Sequence, residues 1–107
     1  MITNSLPKKE GQKDRTGKLR VDLVTPQCII GMAEVLTKAL EKYDENSWQN
    51  IDDPIDTHYG ALLRHLLEWR TGNIDDHESK LSAMKHVLTN AMFLLHHEER
   101  FLRNNDK

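Results

Sequence analysis

The chain has 107 residues, the length of one domain, with 37% hydrophobic residues, a mean hydropathy of −0.69 and a formal net charge of −2. No apolar run is long enough to span a membrane, and the N-terminal residues lack the apolar centre of a signal peptide. The single cysteine, Cys28, excludes an internal disulfide and a cysteine-based zinc cluster, so we expect a cytoplasmic protein without a membrane partner.

Charge is distributed unevenly along the chain. Residues 1–20 contain six lysines and arginines against two acids, whereas the rest contains nine against fifteen. A basic arm on an acidic body suggests an anionic partner, and a solvated tail is the simpler alternative. We therefore divide the chain into a basic N-terminal arm, residues 1–24, and a helical domain, residues 25–107.

The first predicted helix follows the arm. It begins at Thr25-Pro26, because threonine is a good N-cap and proline is well tolerated at the first helical position. We expect it to end near residues 44–46. The loop that follows contains Trp48 and Ile51, which are expected to be held against the core.

Two more helices are predicted after this loop. The second begins near residues 54–56 and ends before Gly72, a typical residue just past a helix C-terminus. The third is expected to begin with Asp75 or Asp76 as its cap and to continue to about Arg103.

The pattern as a whole predicts an all-α fold. Apolar residues recur at helical spacing in all three segments, and no alternating strand pattern is present. Short connections favour a small antiparallel bundle of three main helices with an extended basic arm. Since three helices close a core poorly, we expect a homo-oligomer whose core is shared between chains.

The arm contains a short strip that could hold phosphate. Lys18 and Arg20 alternate, so they share one face of an extended chain, and Gly17 permits close approach of the backbone to a ligand. Arginine gives planar bidentate contacts to phosphate and lysine gives a point charge. The spacing is not that of a Walker A loop.

The second predicted helix places Arg64 and His65 among leucines. These two residues are candidates for phosphate binding. The alternative for Arg64 is an intrahelical pair with Glu68, worth only tenths of a kcal/mol. For His65, a core or capping role is the more frequent one.

The third predicted helix carries a polar face beside its apolar stripe. Ser79, His86 and Asn90 follow helical spacing, and a buried histidine or asparagine needs hydrogen-bond partners. This face therefore lines a ligand pocket or forms a hydrogen-bonded helix contact. Asp76 and Glu78 near the helix start are candidate Mg²⁺ ligands, and helix capping is the alternative.

These segments together resemble one known family, the phage dATP/dGTP diphosphohydrolase N-terminal-like proteins. The resemblance covers roughly residues 13–97. It rests on Gly17-Lys18-Leu19-Arg20-Val21-Asp22-Leu23 with Pro26, Lys42-Tyr43 with Asn46 and Trp48, Leu63-Arg64-His65 with Trp69 and Gly72, and Asp76, Glu78-Ser79, His86, Asn90 and Phe93-Leu94-Leu95.

The resemblance implies an all-α, phage-encoded protein that releases pyrophosphate from purine deoxynucleoside triphosphates in the host cytoplasm. Two positions depart from the family pattern: Lys80 replaces a glycine, and Ala83 replaces a histidine that forms His-x-x-His with the match to His86. The MazG-like helical pyrophosphohydrolases are a looser comparison. Their paired acidic motifs, which hold Mg²⁺, are matched only in part by Glu41-x-x-Asp44.

Two functional hypotheses follow. In the first, a Mg²⁺-dependent nucleotide diphosphohydrolase uses Lys18, Arg20 and Arg64 to bind the triphosphate. Asp76 and Glu78 hold the metal, and Trp48 stacks on the base. In the second, the same pocket sequesters a host immune signalling nucleotide without chemistry, as a viral anti-defence protein. The acidic body carries too few exposed basic residues to favour a nucleic-acid partner.

Overall fold

The computed structural model describes residues 16–103, and the predicted basic arm before residue 16 lies outside the described residues, as do residues 104–107. The helices are α1 (Pro26–Ala39), α2 (Pro54–Arg70) and α3 (Ala83–Glu98). No strand occurs within residues 16–103, so the predicted all-α fold is confirmed there. Shorter turns complete the chain: 3₁₀ turns at Val21–Leu23 and Ser47–Asn50, and a π-helical turn at Glu99–Arg103.

Helix α3 lies at the centre and contacts both other helices. Against α1 the approach is close, because Gly31 is buried and a Cβ there would lie 3.1 Å from Cγ of Lys85. The Lys85 ammonium continues past this contact and pairs with Glu34 at 2.6 Å. Thus one lysine both packs its aliphatic stem against α1 and ties the two helices by charge.

The predicted start of α1 is confirmed, and its predicted end is wrong. Thr25 occupies the N-cap position and Pro26 the first helical position. The helix ends at Ala39 rather than near residues 44–46. From Leu40 to Lys42 each N–H bonds the carbonyl three residues back, so the chain tightens and leaves the α-helical path.

Helix α2 has the predicted bounds. Its C-terminus is closed by Gly72 at φ +105°, whose N–H bonds the carbonyl of Trp69, while the N–H of Asn73 bonds the carbonyl of Glu68. This is the Schellman arrangement, which favours glycine because a side chain is strained at that φ. It turns the chain back toward α3.

The predicted start of α3 is wrong. Asp76 does not cap the helix, because its N–H and carbonyl bond Leu81 and Lys80 and close a loop. Lys80 takes φ +66° within that loop. The helix begins only at Ala83, with the hydroxyl of Ser82 accepting the N–H of Met84.

The loop before α2 is held against the core as predicted. The indole of Trp48 stacks on Phe93 with ring centroids 4.4 Å apart, and Nε2 of His97 donates to the Trp48 carbonyl at 3.3 Å. Ile51 is partly buried. None of the helices described between residues 16 and 103 has the length and apolar character to cross a membrane.

Candidate functional site

Two histidines from neighbouring helices lie face to face. His65 on α2 and His86 on α3 have ring centroids 4.4 Å apart and planes inclined by 13°. Each was singled out from the sequence, and the packing of α2 on α3 brings them together. At this distance a charge on one ring acts on the other.

The loop before α3 places a carboxylate beside both rings. Oδ1 of Asp76 lies 3.8 Å from Nδ1 of His65, and Oδ2 lies 3.9 Å from Nε2 of His86. The N–H of Ser79 donates to Oδ2 of Asp76 at 2.8 Å, which fixes the carboxylate. The Ser79 hydroxyl lies 2.7 Å from Nε2 of His86. We call these four residues the His65–His86 cluster.

The cluster sets the charge of its members. Burial lowers the pKa of His86 below its ordinary 6.5, and the neighbouring His65 lowers it further, against the opposite effect of Asp76. Burial raises the pKa of Asp76, but the N–H and hydroxyl of Ser79 and the two imidazoles outweigh it, so the net pKa is lowered. At neutral pH the cluster thus holds a carboxylate beside a neutral imidazole, which can accept a proton.

A cavity of about 430 Å³ opens next to the cluster. Its lining residues come from the last turns of α2, the connection to α3 and the first residue of α3: Arg64, His65, Glu68, Asn73, Asp75, Asp76, His77 and Ala83. Seven of these eight residues have polar or charged side chains, which can contact the polar groups of a ligand.

Arg64 brings a cation to the cavity. Within residues 16–103 the structure pairs it with no carboxylate, and Glu68, its potential i+4 partner, accepts instead from the side-chain amide of Asn73 at 2.8 Å. The Arg64 guanidinium lies close over Gly60, with Nη1 3.3 Å from the position of a Cβ there. An exposed arginine with no internal partner is available to an anionic ligand.

Comparisons with known proteins identify the family. The sequence model of the family described as "dATP/dGTP diphosphohydrolase, N-terminal" matches residues 8–107, nearly the whole chain. The chain belongs to this family. The resemblance noted in the sequence is thereby confirmed.

One relative of this family member is a protein of Salmonella phage PMBT28. It is named dATP/dGTP diphosphohydrolase. The two sequences are 31% identical over 84 residues, which is 78% of this chain and 28% of the relative. The chain therefore spans a little over a quarter of the length of that relative. No solved structure matches the chain.

In this family member, half of the predicted site residues lie together. Arg64, His65 and Asp76 line the cavity, and His86 and Ser79 join them through the ring stack and the hydroxyl contact. The side-chain hydrogen bonds of the polar face run within the third segment, from Ser79 to His86 and from the Asn90 amide to the His86 carbonyl, and the face meets α2 through the stack of His86 on His65.

The structure places the other predicted residues elsewhere. Glu78 pairs with Lys42. The remaining four stand as follows: Lys18 is exposed, Arg20 pairs with Asp22 at 2.8 Å, Trp48 packs on Phe93, and the Asn90 amide donates to the His86 carbonyl at 2.8 Å. None of these five residues is among the residues that line the cavity.

The acids of the cavity do not form a protein-only metal site. Among residues 16–103 there is no group of three or more histidine, cysteine, aspartate or glutamate side chains that could hold a metal ion. Glu78 pairs with Lys42, and the cavity-lining Glu68 accepts from the side-chain amide of Asn73, whereas Asp75 and Asp76 are neighbouring carboxylates at the cavity wall. Mg²⁺ characteristically takes one or two carboxylates together with phosphate oxygens, so these acids fit it only alongside a phosphorylated ligand.

Sequence reasoning gave no role to the cavity residues Asn73 and His77, and it considered Glu68 only as a partner of Arg64. Asn73 and His77 lie in the connection between α2 and α3, which the sequence predicted only as a turn. Gly72 carried the useful signal, because a C-terminal glycine that reverses the chain places the following residues beside the last turns of α2.

Proposed function

We propose that this chain binds a purine deoxynucleoside triphosphate in the cavity beside the His65–His86 cluster and hydrolyses it to the monophosphate and pyrophosphate. The observation that carries the proposal is Arg64, which pairs with no carboxylate among the described residues, at a cavity that is also lined by His65 and Asp76. The substrate class is taken from the name of the family and of the phage relative.

The dimensions and charges of the cavity support this ligand. A volume of about 430 Å³ lies within the range of small-molecule sites. The Arg64 guanidinium can bind two phosphate oxygens at once, whereas the neighbouring carboxylates exclude a bare polyanion. This combination favours a triphosphate that arrives as its magnesium complex.

Residues of the chain can supply the acid–base step. In the proposed reaction a water molecule attacks a phosphorus atom, its proton passes to the imidazole of His65, and pyrophosphate leaves with the electron pair of the broken P–O bond. Oδ1 of Asp76 lies 3.8 Å from Nδ1 of His65, so a carboxylate stands beside the ring that would receive the proton. Mg²⁺ held by Asp75, Asp76 and phosphate oxygens would neutralise phosphate charge.

The second candidate is sequestration of a signalling nucleotide without chemistry, in the manner of a viral anti-defence protein. One observation favours it. Among residues 16–103 no cluster of three or more histidine, cysteine, aspartate or glutamate side chains could hold a metal ion. The same arginine and histidines would bind the ligand, and no metal would be needed.

One experiment separates these candidates. The purified chain is incubated with dATP, dGTP and cyclic di- and trinucleotides, with and without Mg²⁺, and the nucleotides are analysed by chromatography. Release of pyrophosphate from dATP or dGTP only with Mg²⁺, and its loss in His65→Gln, is the expected result. Unaltered ligand recovered from denatured protein favours sequestration, and neither binding nor turnover contradicts both.

A further inference from the structure

A single copy of the chain buries very little apolar surface. Among residues 16–103 the buried hydrophobic residues reduce to Ala83, and the largest fully buried side chains are His97 and Thr89. Folding of a small domain depends on removing apolar surface from water. Among the described residues, apolar surface therefore remains open for a partner to cover.

One such surface is an apolar groove between α2 and α3. Its volume is about 380 Å³. Tyr59, Leu95 and Leu102 lie along it with 55%, 68% and 60% of their surface exposed. Leu63 and Leu67 extend the Tyr59 row along α2 at four-residue spacing, so the exposed apolar surface continues over two further turns.

We propose that a second copy of this chain occupies the groove, so that α2 and α3 of two copies form a four-helix bundle about a twofold axis. In a twofold interface a surface patch of one copy meets the same patch of the other copy. A net charge on the patch would therefore face a like charge on the partner and be repelled. The groove meets this requirement. Its single charged lining residue, Glu98, has its carboxylate 2.9 Å from the Arg103 guanidinium of the same copy.

The composition of the surface also fits. A stable interface has an apolar centre and a polar rim. The groove and the Tyr59 row supply the apolar centre, and two helices from each copy give the helix number of the common bundle fold. Nothing in this proposal depends on nucleotide binding.

The test measures the molar mass of the complete chain in solution by light scattering after size exclusion, at micromolar concentrations. The wild type is expected at twice the chain mass of 12.5 kDa. Leu95→Glu is expected to raise the dimer dissociation constant by about 30-fold or more, the effect of a central interface side chain. Tyr59→Lys is a second variant in the same groove.

Ile30→Glu is the matched control. Ile30 on α1 is 58% exposed and does not line the groove. The control should remain dimeric, and far-ultraviolet circular dichroism should show unchanged helicity in all three variants. A monomeric wild type, which would leave the groove to another segment or partner, overturns the proposal. So does an equal loss of dimer in Ile30→Glu, or dimers that persist in both groove variants.

Discussion

The imidazole rings of His65 and His86 lie parallel and 4.4 Å apart, with the Asp76 carboxylate within 3.9 Å of a nitrogen of each. The two histidines are 21 positions apart in the chain and on different helices. A change in the charge of one ring therefore alters the electrostatic potential at the other ring, and a change in the charge of the carboxylate alters it at both.

The first prediction concerns this coupling. The Asp76 carboxylate stabilises the protonated form of His86, so Asp76→Asn should lower the pKa of His86 further below 6.5. The measurement is an NMR titration of the histidine ring protons in both proteins. His96, outside the cluster, serves as the internal reference. An unchanged His86 titration in Asp76→Asn would show that the carboxylate does not face the ring.

The second prediction concerns acid stability. Burial lowers the pKa of His58, and the charge of His97 lowers it further, although the Trp48 carbonyl and Asn90 act in the opposite direction. In the unfolded chain His58 has its ordinary pKa of about 6.5. It therefore binds a proton more readily there than in the folded chain. The free energy of unfolding should therefore fall as the pH drops below about 6.5.

His58→Phe removes this titrating group and keeps a ring beside Phe93, 4.6 Å away. It also removes Nε2, a buried nitrogen without a partner among the described residues. Urea unfolding between neutral and mildly acidic pH should show a shallower loss of stability in His58→Phe than in wild type. Equal slopes in the two proteins would count against a buried, neutral His58.

The third prediction concerns the loop that positions Asp76. Lys80 has φ +66°, a conformation that strains a side chain and suits glycine. Lys80→Gly should raise the free energy of unfolding by about 0.5–1 kcal/mol. Lys80→Ala is the control, since it removes the ammonium but keeps the Cβ. The interpretation fails if alanine stabilises the protein as much as glycine does.

Local signals predicted much of the fold. Pro26 and Gly72 act through their own backbone preferences, so the start of α1 and the end of α2 could be located from sequence. The start of α3 could not, because Asp76 uses its carboxylate to hold Ser79 in a loop rather than to cap a helix. The Asp76 carboxylate accepts a backbone N–H in either arrangement, the loop or the helix cap. Packing of the loop against α2 decides between them.

The candidate site was predictable in part for a similar reason. Arg64 and His65 are adjacent in α2, Asp76 follows within the short connection after α2, and His86 lies in the first turn of α3. Glu78, in contrast, pairs with Lys42, 36 residues away. Sequence spacing carries no information about such a contact, so the acid appeared available as a metal ligand. The indole of Trp48 likewise finds a long-range partner in Phe93, which no local pattern specifies.

The central claim is that Arg64 binds the phosphates of a nucleotide at the cavity. The most direct test is the equilibrium binding of α,β-methylene analogues of dATP and dGTP, which cannot release pyrophosphate, to wild type and Arg64→Ala by calorimetry with Mg²⁺ present. Arg70→Ala is the matched control, because Arg70 lies in the last turn of α2 and does not line the cavity. We predict at least about tenfold weaker binding for Arg64→Ala, the loss of one charged hydrogen-bonded contact, with helicity and the Arg70→Ala affinity unchanged. Unchanged affinity in Arg64→Ala, or an equal loss in Arg70→Ala, would contradict the account.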